Sequence, residues 1–373
     1  MKTNVLLGFV LGAIVPSLLV AWLSAYLIRR WAPRWGLVDK PGARKVHNTP
    51  TPLGGGLAVW LGVVLPLAAG TLCAWLVHRG WASDLVPEFA RPHAPGFLAK
   101  AGTMWALLGA GTVLMLLGLL DDLRGLRWQV RLAVQFGVAA VCVTWLDCRL
   151  TAFLDVPLVT WFLSVVWIVA LVNSFNMLDN MDGLSAGVAA IAAGILATVL
   201  LTAPAAGGRG PQLFVAGFLL VLVGALLGFL WHNRPVARLF MGDAGSYFIG
   251  FAIAVATLLA TFANYEATSQ HAILAPLCVL AVPLYDMLTV LWIRWREGRS
   301  PFHADKSHFS HRLVDRGLTK PQAVLTIYLT TDTCGLGALV LYQVNTVGAA
   351  VVLLMIVCVL ALIAILESAG QAR

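Results

Sequence analysis

The carboxylates and amides that could do chemistry in this 373-residue chain gather where long apolar runs end. Asp121 and Asp122 close one run. Asn173, Asn176, Asp179 and Asp182 recur every three residues between two others, and Asp243 opens another within Phe240-Met-Gly-Asp243-Ala-Gly-Ser246. A carboxylate at a membrane boundary is costly to desolvate unless it pairs, accepts hydrogen bonds or holds a cation. Three such clusters on one side of a membrane, among basic loops, predict a divalent-metal site for a phosphorylated substrate.

Each cluster carries a blander alternative. Adjacent Asp121 and Asp122 repel, so one of them needs a cation, a proton or a donor nearby. Arg124, Arg127 and Arg131 could supply that as a plain surface network. Oxygen donors with open positions suit Mg²⁺ on a diphosphate better than zinc. On one continuous helix, positions 173, 176, 179 and 182 would spread over about half the circumference. The helix is therefore expected to break, giving a re-entrant turn around a polar cavity, with Asp182-Gly183 starting the next helix. Helix caps and turn residues would account for one or two of the four. Backbone N–H groups at the start of the run after Gly242 can point at an anion, or Asp243 can be a simple N-cap. Phe240 is placed either to pack at the interface or to stack on a base.

Two basic loops complete the set. Lys45 and His47 precede Gly54, Gly55 and Gly56, which open a helix but form no P-loop, because G-x-x-x-x-G-K-[ST] is absent. His308 and His311, spaced to share a helical face and flanked by Asp305, Lys306 and Arg312, lack a third zinc ligand; phosphate contact is their expected work, with binding to anionic lipid the alternative. Asp286 and Asp332 are further ionisable residues at membrane depth. Asp286 lies nearer the cytoplasmic end and is the better functional candidate.

The elements that must position these groups are membrane helices. The chain is 60% hydrophobic and only 11% charged, with mean hydropathy +0.86, which excludes an ordinary soluble domain. Runs at residues 5–28, 53–77, 104–120 and 347–366, with further ones near 130–146, 157–175, 184–203, 212–231, 244–263, 272–293 and 322–343, are long enough to cross a bilayer. They do not alternate as the strands of a barrel would. The expected fold is all-α: one polytopic membrane domain over residues 1–373 with about eleven transmembrane helices. Most of the 25 Lys and Arg residues fall in loops 29–52, 121–131, 232–243 and 294–320. That bias places those loops, the 173–183 turn and all three acidic clusters in the cytoplasm, with the N-terminus outside. Much of the net charge of +8 is this topology signal, and no nucleic-acid partner is expected. The first run has its arginines behind it, which marks a true span and not a cleaved signal. The six cysteines, without C-x-x-C spacing, read as small core residues. Residues 78–100 are expected to form a long external loop with a short helix, and residues 203–210 an external turn.

Together these motifs resemble the polyprenyl-phosphate N-acetylhexosamine-1-phosphate transferases (glycosyltransferase family 4), bacterial inner-membrane enzymes. The resemblance runs from about residue 38 to 313. It rests on Arg44-Lys45-x-His47…Pro50-x-Pro52-x-Gly54-Gly55, Asp121-Asp122, Asn176-x-x-Asp179-x-x-Asp182-Gly183, Gly242-Asp243-x-Gly245-Ser246 and His308…His311. It implies transfer of a sugar-1-phosphate from a UDP-N-acetyl-amino sugar to undecaprenyl phosphate, releasing UMP, with Mg²⁺ required and Mn²⁺ a conceivable substitute. By position, Asp243 and Asp122 look like the metal ligands, and Asp121 or Asp122 a base for the lipid phosphate. An Asp nucleophile forming a covalent intermediate is the competing mechanism. Asn173, Asn176, Asp179 and Asp182 would line the nucleotide pocket, with Asp286 also at the substrate and Phe240 on the uracil. Lys45, His47, His308, His311 and Arg312 would hold phosphates or sugar. The bilayer is the expected surroundings, and a homodimer is the one protein partner considered.

Ser310 departs from the family pattern, standing where a further histidine is common. With Asp305-Lys306-x-His308-x-x-His311-Arg312-Leu313 and Pro283-x-x-Asp286, it resembles the GlcNAc-1-phosphate branch more than the phospho-MurNAc-pentapeptide translocases. UDP-GlcNAc is therefore the expected donor for a first membrane step of cell-envelope polysaccharide synthesis. A secondary transporter, the rival from another class, would place its ionisable groups near the midplane and repeat internally. Neither feature is visible in the sequence.

Overall fold

The computed structural model describes residues 3–39, 50–81, 87–88, 90–146, 148–150, 156–202, 211–260, 270–302 and 305–368. The fold is the all-α membrane architecture that the apolar runs predict. In chain order the helices are α1 (Thr3–Trp31), α2 (Gly55–His78), α3 (Ala94–Arg124), α4 (Trp128–Trp145), α5 (Pro157–Leu178), α6 (Leu184–Thr202) and α7 (Leu213–Asn233). They continue with α8 (Gly242–Leu259), α9 (Ala275–Val279), α10 (Ala281–Arg296), α11 (Phe309–Asp315), α12 (Lys320–Val340) and α13 (Thr346–Ser368). A helix satisfies its own backbone, which hydrocarbon demands. A two-residue ribbon, β1 (Val38–Asp39) against β2 (Thr51–Pro52), pairs antiparallel with Val38 opposite Pro52.

Among the described residues nine helices are long and apolar enough to span a membrane, and ten spans result if the bent α9–α10 unit counts as one. Eleven were expected, and the remaining run is α4. That helix has 18 residues, but Gln129, Arg131 and Gln135 hold it below the apolarity of a free-standing span. The α9–α10 unit bends by 64°. Pro283, in the first turn of α10, has no N–H for the Val279 carbonyl, so the preceding helix cannot run through. Helix α3 begins at Ala94, well before the apolar run at 104, after a short 3₁₀ turn at Arg91–His93. The turn expected at 203–210 lies outside the described residues. All six cysteines are free thiols.

Helix α8 is the axis of the bundle. Every residue from 244 to 258 is buried, so it is apolar all round below its first turn. It packs mainly against α3 and α5, with α2 on a third side. Around this centre α1 lies on α7 and α2, and α6 on α7 and α12. By contrast α13 packs mainly on α12 and exposes Val347, Leu354 and Leu366.

Candidate active site

The first turn of α8 is where three other helices deliver their polar ends. Gly118 on α3 abuts the α8 backbone so closely that a Cβ there would stand 2.4 Å from the Asp243 carbonyl and the Ala244 nitrogen. Asp122, one helical turn after Gly118, therefore overhangs the exposed amides of α8. Its carboxylate accepts the N–H groups of Asp243 (2.9 Å) and Ala244 (3.3 Å). Gly242 takes a left-handed φ of 74°, and a Cβ there would meet Asp122 Oδ2 at 2.4 Å. The Gly242 N–H donates to Asp179. The anion expected at this helix start is thus present within the protein, as two carboxylates from other elements. Met241, not Asp243, occupies the N-cap position.

With its backbone so held, the Asp243 side chain turns to a different set of partners. Asn176 Nδ2 donates to Asp243 Oδ1 at 2.7 Å and reaches Ser246 Oγ at 3.1 Å. The Asp243 and Asp121 carboxyl groups are in hydrogen-bonding contact. Arg131 on α4 stands beside both, 2.6 Å from Asp121 Oδ2 and 3.6 Å from Asp243 Oδ2. Asp121 also accepts the Leu126 N–H at 2.6 Å and the Tyr247 hydroxyl at 3.4 Å. The arginine that sequence allowed to be a plain surface network is therefore the cation of the cluster. Its only sequence signal is its place on the helix after Asp121-Asp122.

The helix does break after α5, as the three-residue spacing requires. Asn176 lies in the last turn, Asp179 at the C-cap, Asp182 in the turn, and α6 opens at Leu184. Both flanking helices are full spans, so this is an interhelical turn and not a re-entrant one. Asp182 Oδ2 accepts the Ala237 N–H (3.0 Å), and Gly183 is gripped by Asn233 Oδ1 (2.9 Å) and the Tyr328 hydroxyl (2.6 Å). Asn233 and Tyr328 were not legible as site residues, because neither belongs to one of the carboxylate, amide or histidine clusters read in the sequence. Burial, followed by the Asp122 and Asp182 charges, pushes the Asp179 carboxyl up to about 7. Asn173 sits one turn back and donates to Gln135 Oε1 (2.7 Å) and the Val169 carbonyl, apart from the carboxylates.

The histidine loop docks beside this turn through Ser310, whose hydroxyl donates to Asn180 Oδ1. Asp286, fully buried on α10, accepts from His308 Nδ1 (3.0 Å) and the Phe309 N–H (2.6 Å). It positions the loop and is itself shut off from a substrate. With Nδ1 donating to Asp286, His308 Nε2 is the nitrogen left to meet another partner. His308 and His311 lie with ring centroids 6.3 Å apart. Burial, then His308 and Lys306, hold the His311 imidazole below its usual pKa, which favours its neutral form. Upstream, burial would raise Asp305, but hydrogen bonds from Arg294 and the Ser307 amide and the Arg294 and Arg299 charges hold it at about 2. Arg312, expected on a phosphate, is committed to Glu367 Oε2 (2.9 Å) and Thr289 Oγ1 (3.1 Å). Asp332 lies on an exposed face of α12.

Lys45 and His47 lie outside the described residues. The glycines after them serve backbone contact: a Cβ on Gly56 would stand 2.1 Å from the Gly245 nitrogen, and Gly55 donates to the Phe240 carbonyl at 2.9 Å. Phe240 in turn donates its N–H to Pro52 (2.9 Å), which pins residue 240 to the ribbon with its ring half-buried.

Among the described residues no three His, Cys, Asp or Glu side chains enclose a common metal position. Mg²⁺ needs no such cage where one or two carboxylates and substrate phosphates hold it. The touching carboxyl groups of Asp121 and Asp243 fit that role, since such a pair requires a proton or cation between them.

An apolar bundle that brings two touching carboxyl groups, an amide and an arginine to one membrane end defines a class: a membrane protein with an acidic site and a fixed cation at the end of its helices. Comparison with known proteins makes the family specific. The model of glycosyl transferase family 4 matches residues 104–261. The chain is 33% identical over 339 residues to the probable undecaprenyl-phosphate N-acetylglucosaminyl 1-phosphate transferase of Bacillus subtilis, covering 88% of this chain and 84% of that one. It is 34% identical to the decaprenyl-phosphate N-acetylglucosaminephosphotransferase of Mycobacterium tuberculosis strain H37Rv (86% and 79% covered). With the undecaprenyl-phosphate alpha-N-acetylglucosaminyl 1-phosphate transferase of Escherichia coli K12 it shares 28% identity (85% and 79% covered). The chain belongs to glycosyl transferase family 4.

Proposed function

We propose that this protein transfers GlcNAc-1-phosphate from UDP-GlcNAc to undecaprenyl phosphate. An oxygen of the lipid phosphate attacks the β-phosphorus of the donor. The bond from that phosphorus to the α–β bridging oxygen breaks, and its electron pair leaves with UMP. Undecaprenyl-diphospho-GlcNAc remains in the membrane as the first lipid-linked intermediate of an envelope polysaccharide.

The observation that carries this reading is the meeting of Asp121, Asp243, Asn176 and Arg131 at one end of the bundle, in a chain whose relatives are named for this transfer. Asp243 would hold Mg²⁺ or Mn²⁺, with Asp121 beside it and Asp122 supporting both through the α8 backbone. The metal would offset the charge of the diphosphate, which lowers the repulsion between two anionic reactants. Arg131 supplies a fixed cation at the same place. Both oxygens of Asp121 and both of Asp122 are committed to hydrogen bonds. That favours direct attack by the lipid phosphate over an aspartyl intermediate. Asp179 and Phe240 would face the uridine and His311 the donor phosphates, with His308 oriented by Asp286. The basic loops argue for a cytoplasmic site in a bacterial inner membrane.

The test is purified protein with undecaprenyl phosphate and Mg²⁺, offered a panel of UDP-sugars while UMP is followed. Release from UDP-GlcNAc that stops with EDTA is the expected result. Release from another UDP-sugar alone would move the donor, and none from any would remove the reading.

A further inference from the structure

The last helix reaches into the histidine loop. Almost all of α13 faces outward, yet Glu367 at its end is only 6% exposed. Its Oε2 accepts from Arg312 Nε at 2.9 Å and from the Tyr285 hydroxyl at 3.1 Å. Arg316 donates to the Glu367 carbonyl. A carboxylate drawn out of water on an otherwise lipid-facing helix is costly unless its partners are fixed. Here Oε2 is held by Arg312 of the loop and by Tyr285 of α10.

Arg312 carries the connection onward. Its Nη1 donates to the Ser307 carbonyl, immediately before His308, and its Nη2 to Thr289 on α10. Its own N–H bonds to the His308 carbonyl at 2.9 Å. The backbone on both sides of His308 is thus tied to Arg312, and the Arg312 side chain is tied to Glu367. Asp286 holds the same histidine by its ring. Without the Glu367 carboxylate the guanidinium would lose its charged partner, and the loop one of its anchors, leaving those of Asp286 and Ser310.

We infer that Glu367 is a positioning residue for the reaction: through Arg312 it sets the His308–His311 segment against the sugar-nucleotide donor. This rests on the placement of the donor at that loop. Glu367→Gln is expected to raise the KM for UDP-GlcNAc about tenfold, as for one lost charge-assisted hydrogen bond. The KM for undecaprenyl phosphate should stay within about twofold. Amide hydrogen exchange should quicken across residues 308–315. If Glu367 acts through Arg312, the double variant with Arg312→Gln should be no worse than Arg312→Gln alone. Tyr285→Phe, which removes one neutral donor to Glu367, gives a milder shift in the same direction should Glu367→Gln fold poorly.

A purely structural Glu367 would quicken exchange in α13 alone, leave both KM values unchanged and act additively with Arg312; any of these overturns the inference. His311→Ala separates the two readings. If it raises the donor KM and Glu367→Gln does not, only this inference fails; if it leaves the donor KM unchanged, the donor placement fails and takes this inference with it.

Discussion

Asp122 on α3 holds the N–H groups of Asp243 and Ala244 on α8, a side-chain-to-backbone clasp that joins positions 121 and 122 residues apart. The clasp exists because Gly118 lets the two helices touch, and it fixes the turn from which the Asp243 side chain projects. Gly118→Ala is expected to force α8 away and to lower kcat/KM about 100-fold, the scale of an ångström-sized misplacement. Gly109→Ala, on the same helix with nothing within 4 Å of a new Cβ, should leave kcat/KM unchanged. Steady-state kinetics on the two variants makes the comparison.

Arg131 is the cation between Asp121 and Asp243. Arg131→Gln should lower kcat by about 100-fold, as when one electrostatic contact to developing charge is lost. Arg131→Lys should fall between Gln and the parent, because the charge survives without the planar fork. Equal rates for Gln and Lys would show that charge is not what Arg131 supplies.

Asp179 should make stability fall with rising pH. Its carboxyl in the fold is pushed up to about 7, while the unfolded chain ionises near the ordinary aspartate value of 3.8. Between those values the folded state binds more protons than the unfolded state, so stability declines from about pH 4 to about pH 7 and then levels. Asp179→Asn should flatten that part of the profile. Melting temperatures of both proteins at pH 5 and pH 8, without substrate or metal, check the sign.

Asp286 and Asp332 are both acids within apolar runs, but only Asp286 is buried and bonded to the histidine loop. Asp286→Asn should cost about 1–3 kcal/mol of stability, the scale of a buried polar group left without its partner. It should also weaken donor binding. Asp332→Asn should leave donor binding unchanged. Thermal unfolding with donor titration distinguishes the two positions.

The membrane fold was legible because hydrocarbon imposes it: runs of apolar residues long enough to span can only be helices. The break between Asn176 and Leu184 was legible for a related reason, since polar residues three apart cannot share a narrow face. Partner choice was not. Nothing local to Asp122 says that its oxygens meet α8, or that Arg312 meets a glutamate 55 residues on. Gly54, Gly55 and Gly56 read only as the opening of a helix, whereas at least Gly55 and Gly56 serve backbone contact that only the packed bundle reveals. Spacing records the local face of a helix; the long-range contact that decides a role is a property of packing.

The most direct test of the central claim follows the donor's own phosphorus. UDP-GlcNAc labelled with ³²P at the β-position is incubated with the protein, undecaprenyl phosphate and Mg²⁺, and the label is partitioned between organic and aqueous phases. Transfer of a sugar-1-phosphate predicts label in the lipid and unlabelled UMP in water. Label left in the aqueous phase as UDP, with sugar on the lipid, would mean plain sugar transfer; label left in intact donor would mean no transfer. Either result would contradict the account.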